Sequence, residues 1–119
     1  MFMQINLEIK VSPLSVNKAW QGRRFKSDAY KQFIRNVSIV LPVAKNTIKN
    51  EVEIYYTFYI KNFGNADVGN LIKTAQDQIV EKRYIIDDRK IVFLQAKKIK
   101  VKNYKDEKIE ITINERTKD

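Results

Sequence analysis

Residues 52–80 read VEIYYTFYIKNFGNADVGNLIKTAQDQIV, and the change of period inside that stretch decides the fold. Val52, Ile54, Tyr56, Phe58 and Ile60 recur at every second position, the signature of a β-strand. Tyr55, Thr57 and Tyr59 hold the opposite face, so this strand is expected to be covered on both sides. Asn62-Phe63-Gly64-Asn65 reads as a turn. Val68, Leu71, Ile72, Ala75 and Ile79 then fall at i, i+3, i+4, i+7 and i+11, which makes a helix of about four turns.

Upstream, Ile5, Leu7, Ile9 and Val11 alternate with Asn6, Glu8 and Lys10 as a half-buried strand, which Ser12-Pro13 ends. A loop is expected from Leu14 to Lys26. Ser27 is then an N-cap with Asp28 in the first turn, and Tyr30, Phe33, Ile34, Val37 and Leu41 carry a helix that ends near Pro42. Downstream, Arg83-Tyr84 leads into Ile85, Ile86, Asp87 and Asp88. Two strands follow, near Lys90–Lys102 and Lys108–Asn114, and the polar loop Asn103–Glu107 between them reads as a hairpin connection. The order β-α-β-α-β-β predicts one α+β domain over residues 1–119, a mixed β-sheet with two main helices.

The chain has 119 residues, a length that suits one domain. Its 44% hydrophobic content is enough for one core. With 23 Lys and Arg against 14 Asp and Glu, the net charge is +9, which favours nucleic acid or another anionic partner. There is no Cys and no His. Thiol chemistry, disulfides, the usual zinc sites and any His general base are therefore excluded. Carboxylates, Lys, Arg, Tyr and Ser remain, and their natural metals are hard oxygen-ligated ions such as Mg²⁺. No apolar run approaches the roughly 20 residues of a membrane helix. Met1 to Lys10 alternates rather than forming a leader, so no membrane partner and a cytoplasmic location are expected.

Asp67, Asn70, Lys73 and Asp77 share the polar side of the second helix, opposite Leu71, Ile72 and Ala75. The set is open to two readings: a solvated face with an N-cap at Asp67 and a Lys73–Asp77 pair, or a reactive cluster. Asp87-Asp88 follows the apolar Ile85-Ile86, and carboxylates distant in sequence can converge on one divalent ion. In the first loop, Lys18, Arg23, Arg24 and Lys26 are candidate phosphate contacts, as are Lys97, Lys98, Lys100 and Lys102 later. The second group reads equally as a charged edge strand. Trp20 suits stacking on an unpaired base, or else packing in the core or a dimer.

Asp67-Val68-Gly69-Asn70-Leu71-Ile72-Lys73, followed by Asp77 and then Ile86-Asp87-Asp88, resembles the RusA-type Holliday junction resolvases. Ser12-Pro13-Leu14-Ser15-Val16-Asn17-Lys18-Ala19-Trp20 is similar to that family's Pro-rich segment, and the resemblance covers about residues 5 to 114. It implies a homodimeric endonuclease, bacterial or phage-encoded, that uses Mg²⁺ (with Mn²⁺ as a substitute) to resolve four-way DNA junctions by paired symmetric nicks. The exposed-looking Tyr55, Tyr59 and Phe93 also favour a dimer. By position, Asp67, Lys73 and Asp88 would be catalytic, and Asp67, Asp88 and Asp87 would hold the metal. Asn17, Lys18, Trp20, Arg23, Arg24, Lys26, Asn70 and Lys73 would bind DNA. Gly69 stands where the family has a second Asp, which leaves fewer carboxylates for the ion. The alternative expectation is a catalytically impaired junction-binding or regulatory protein on the same scaffold.

Overall fold

The computed structural model describes residues 3–22 and 25–116. In chain order the elements are β1 (Gln4–Ile9), α1 (Val16–Ala19), β2 (Trp20–Gln21), β3 (Phe25–Lys26), α2 (Asp28–Val40), β4 (Val52–Ile60), α3 (Val68–Glu81), β5 (Ile91–Lys100) and β6 (Lys108–Glu115). They form one α+β domain with a mixed four-stranded sheet in the order β1-β6-β4-β5, plus the small hairpin β2-β3. Among the described residues no helix is long and apolar enough to cross a membrane.

The two long helices begin and end for local reasons. Ser27 Oγ accepts the Tyr30 N–H at 3.1 Å and caps α2. The helix stops at Leu41, just before Pro42, as its sequence predicts. Asp67 caps α3 by accepting the Gly69 N–H at 3.0 Å. At the far end, Arg83 adopts φ +65°, with Arg83 N–H on the Val80 carbonyl and Tyr84 N–H on the Ile79 carbonyl. That is a Schellman cap built on a residue other than glycine. Arg83→Gly is therefore expected to stabilise the fold by about 0.5–1 kcal/mol, because a side chain is disfavoured in that backbone region. Urea denaturation checks this, and a lower midpoint for the variant would refute it.

β4 is the centre of the sheet. Its Val52, Ile54, Tyr56, Phe58 and Ile60 are all buried, against Phe33 and Val37 of α2 and Leu71, Ala75 and Ile79 of α3 in one core. β6 adds Ile109, Ile111 and Ile113 to the same side, in register with Phe58, Tyr56 and Ile54. Two sequence expectations are corrected here. The second face of β4 carries Glu53, Tyr55, Thr57 and Tyr59 only half-buried, so the sheet is covered on one side. Here the Tyr55 and Tyr59 hydroxyls donate to Glu53 at 3.1 Å and Glu110 at 2.6 Å, which satisfies them at a wet surface. The second correction is that β5 and β6 are not a hairpin. β5 runs parallel to β4, the pairing that a β4-α3-β5 crossover allows, and β6 inserts antiparallel between β4 and β1. The connection between them arches past the end of β4, where Glu107 accepts the Lys61 N–H at 2.8 Å.

The stretch read as the Leu14–Lys26 loop contains α1 and the β2-β3 hairpin, in which Trp20 pairs with Lys26 and Gln21 with Phe25. Ala19 is fully buried and its carbonyl accepts the Ser27 N–H, so the hairpin is fastened to the start of α2.

Candidate functional site

The Schellman cap reverses the chain so that the residues after α3 fold back beside it. Tyr84 donates its hydroxyl to the Pro42 carbonyl at 2.8 Å. The Ile48 N–H donates to the Tyr84 carbonyl at 3.1 Å, and the Ile86 N–H donates to the Ile48 carbonyl at 3.0 Å. Ile48 and Ile85 are buried there. These ties bring Asp87 and Asp88 to the wall of a cavity of about 560 Å³. The cavity lies between α2, the last turns of α3 and the β2-β3 hairpin. Asp77, Gln78 and Glu81 come from α3, Tyr30 and Ile34 from α2, and Trp20 and Lys26 from the hairpin.

Charges inside this cavity are partly organised already. Lys73 Nζ donates to Asp77 Oδ1 at 2.8 Å, one turn along α3. That bond, with further help from the charges of Asp77 and Asp88, raises the Lys73 pKa, so the amine stays cationic well beyond neutral pH. The other Asp77 oxygen accepts the Tyr30 hydroxyl at 3.1 Å. Asp87 is held by Arg89, whose backbone N–H and guanidinium both donate to it at 2.9–3.1 Å. This holds the Asp87 carboxyl well below the usual carboxylate range. Asp88 and Glu81 form no ion pair among the described residues. Trp20 packs edge-on against Tyr30, with centroids 5.5 Å apart and planes at 76°, and Lys26 Nζ lies 5.9 Å from both rings.

Tyr30 is pushed up to about 12, first by burial and then by the Asp77 carboxylate. In the unfolded chain a tyrosine titrates near about 10. The native state thus prefers the neutral phenol, and its contribution to stability is full below about pH 10 and lost as pH rises through 12. Burial raises Tyr56 in the same direction. Denaturation midpoints should therefore fall between about pH 10 and 12. Tyr30→Phe should flatten part of that fall, and an unchanged slope would count against the coupling.

The sequence-predicted site residues divide between the two ends of α3. Trp20, Lys26, Asp87 and Asp88 line the cavity. Lys73 reaches toward it through its pairing with Asp77. Asp67 sits at the opposite end, ten residues and about 15 Å of helix rise before Asp77, occupied in capping Gly69. Asn17 and Lys18 line a second cavity of about 380 Å³ at that end, with Asn62, Asn65 and Ala66. Asn70 is half-buried in the first turn of α3. Arg23 and Arg24 lie outside the described residues. Lys98, a candidate phosphate contact, donates instead to the carbonyls of Phe63 and Ala66 at 2.6 and 2.7 Å and fastens the turn before α3.

Gln78 and Glu81 were not among the residues singled out from sequence. A signal for Gln78 exists: it falls seven after Leu71 and three after Ala75, on the buried stripe of α3. Thr74 on that stripe is satisfied by donating to the Leu14 carbonyl at 2.7 Å, whereas Gln78 Oε1 is buried without a partner among the described residues.

The donor set around the cavity is all oxygen, which suits Mg²⁺, an ion commonly bound through one or two carboxylates with water and substrate phosphate. Among the described residues no group of three or more carboxylates is placed to hold one ion. No protein-family model matches this chain, and no curated protein matches it.

Proposed function

We propose that the chain is a Mg²⁺-dependent, structure-specific endonuclease of the RusA type, acting on four-way DNA junctions as a homodimer. One observation carries the reading: Asp88 lines an acidic cavity with Asp77, and Asp77 accepts from Lys73 Nζ at 2.8 Å. Lys73 and Asp88 stand fifteen residues apart in the motif, in a protein of charge +9. Asp88, which forms no ion pair among the described residues, would hold the ion, and Asp87 would join it only by giving up part of its Arg89 contact. Mg²⁺, when bound, supplies Lewis acidity toward a phosphoryl oxygen. Lys73, fixed by Asp77 and always charged, is a ready partner for the negative charge that grows on the phosphate. Asp77 orients that amine, and Tyr30 in turn orients Asp77. A twofold dimer would present two such sites to the two matched strands of a junction.

Gly69 and the capping role of Asp67 favour the second reading, a junction-binding protein with impaired cleavage. A Cβ at Gly69 would meet only Asp67 Oδ1, at 3.5 Å, so an Asp fits there and would strengthen the other end of α3. Incubating pure protein with labelled four-way junction and equal-length linear duplex, each with Mg²⁺ or Mn²⁺, separates the two. Paired symmetric nicks confined to the junction are expected. Tight junction-selective binding without nicks would leave the second reading standing, and equal affinity for the duplex would remove both.

A further inference from the structure

The cavity has a wall that phosphate chemistry does not use. We infer that it takes one unstacked nucleobase, guanine in preference to thymine, laid against Trp20 with its pairing edge toward Glu81. The inference rests on the nucleic-acid part of the reading above and not on cleavage. A volume of about 560 Å³ falls in the range of sites for ligands of nucleotide size. Trp20 is 41% exposed, while Tyr30 behind it is 3% exposed and holds the indole edge-on. A large aromatic fixed from behind and open in front is a platform on which any base can stack.

Selectivity comes from which acceptors are still free. Both Asp77 oxygens are taken by Lys73 and Tyr30, and Asp87 is taken by Arg89. Gln78 also lines the wall, but it is 4% exposed and its Oε1 is buried beneath the surface, so that oxygen is not open to a ligand. One helical turn from Asp77, Glu81 adds a carboxylate with no ion pair among the described residues. A free carboxylate selects a ligand edge made of donors. Guanine presents N1–H and the N2 amino group side by side, which a single carboxylate accepts together. Thymine presents one N–H between two carbonyl oxygens, and those oxygens would face the carboxylate. Among the described residues, Lys26 supplies the positive charge on the aromatic side, where the nucleotide's own phosphate leaves the ring.

Trp20 is the only tryptophan in the chain, so its emission reports on this wall alone. The full-length protein, without divalent ions, is titrated with three probes: a short oligothymidylate, the same strand with one central guanine, and that strand paired in duplex. Strand binding is followed separately by anisotropy of an end label. The guanine strand is expected to quench Trp20 and to bind about tenfold more tightly than oligothymidylate, with the duplex leaving Trp20 unquenched. Glu81→Gln should remove that preference while keeping the quenching, and Glu81→Asp should restore part of it. Equal affinity for the two single strands, or strand binding with Trp20 emission unmoved, would overturn the inference. Junction cleavage with Mg²⁺ is read in its own assay. Guanine-selective quenching without cleavage would overturn only the nuclease reading, and cleavage without guanine selectivity would overturn only the base pocket.

Discussion

If the chain is the proposed Mg²⁺-dependent endonuclease, Asp88→Asn is expected to slow junction cleavage by about a thousandfold while leaving junction affinity equal or slightly higher. A carboxylate that holds a catalytic ion accounts for several kcal/mol of transition-state stabilisation, and each ~1.4 kcal/mol is a factor of ten. Asn keeps the size of Asp but loses the charge that retains a hard cation. Removing a negative charge beside a phosphate backbone cannot weaken the electrostatic part of binding. The fold should be little affected, since Asp88 is exposed and forms no ion pair among the described residues. The companion variant is Asp67→Asn. Asn is as good an N-cap as Asp, so α3 stays intact. With the ion at the cavity end, Asp67→Asn should cost far less than Asp88→Asn. Were Asp88→Asn harmless and Asp67→Asn inactive, the reactive end of α3 would be the one beside Asn17 and Lys18.

Period was the readable part of this sequence, and neighbourhood was not. The two-residue alternation over 52–60 and the helical spacing over 68–79 each name a buried face, and both faces lie in the core. Ser27 and Pro42 bracket α2 through one side-chain acceptor and one missing donor, effects that act over a few residues. Alternation says nothing about which strand lies alongside. Ile109, Ile111 and Ile113 would suit a hairpin with β5 as well as they suit the slot between β4 and β1. What excludes the hairpin is long-range, namely Glu107 on the Lys61 N–H and Asn62 donating to the Tyr104 hydroxyl at 3.2 Å. The β2-β3 hairpin was hidden for another reason. It is two residues per strand, too short to show a period, and only Gly22 at φ +74° marks its turn.

The site divides along the same line. Asp87 and Asp88 stood out as an acidic pair in a basic chain, but the partners that give them a setting come from residues 20, 26, 30 and 77, joined only by packing. Asp67 shows the limit from the other direction. An acid before a helix is the same sequence feature whether it caps the helix or binds a metal, and here its side chain is committed to the Gly69 N–H.

Phe58→Ala should destabilise the domain by about 3–5 kcal/mol, a large share of the roughly 5–15 kcal/mol that holds a small domain together. Phe58 is fully buried in the central strand, with Ile109 opposite it on β6 and Lys98 opposite it on β5. Its ring lies parallel to that of Tyr56, with centroids 5.7 Å apart and planes at 8°. Truncation leaves a void that strands on both sides prevent from closing, so the loss exceeds the transfer energy of the ring. Phe25→Ala is the matched control, because that ring is 71% exposed on the hairpin and its removal should cost less than about 0.5 kcal/mol. Urea denaturation should show a shifted midpoint at unchanged slope for Phe58→Ala and almost no shift for Phe25→Ala. The variant also bears on the site. Lys98, at the register of Phe58, holds the Phe63–Ala66 turn that launches α3, and α3 carries Lys73, Asp77 and Glu81 to their places. A Phe58→Ala loss below about 1 kcal/mol would mean that β4 is not the strand on which this geometry depends.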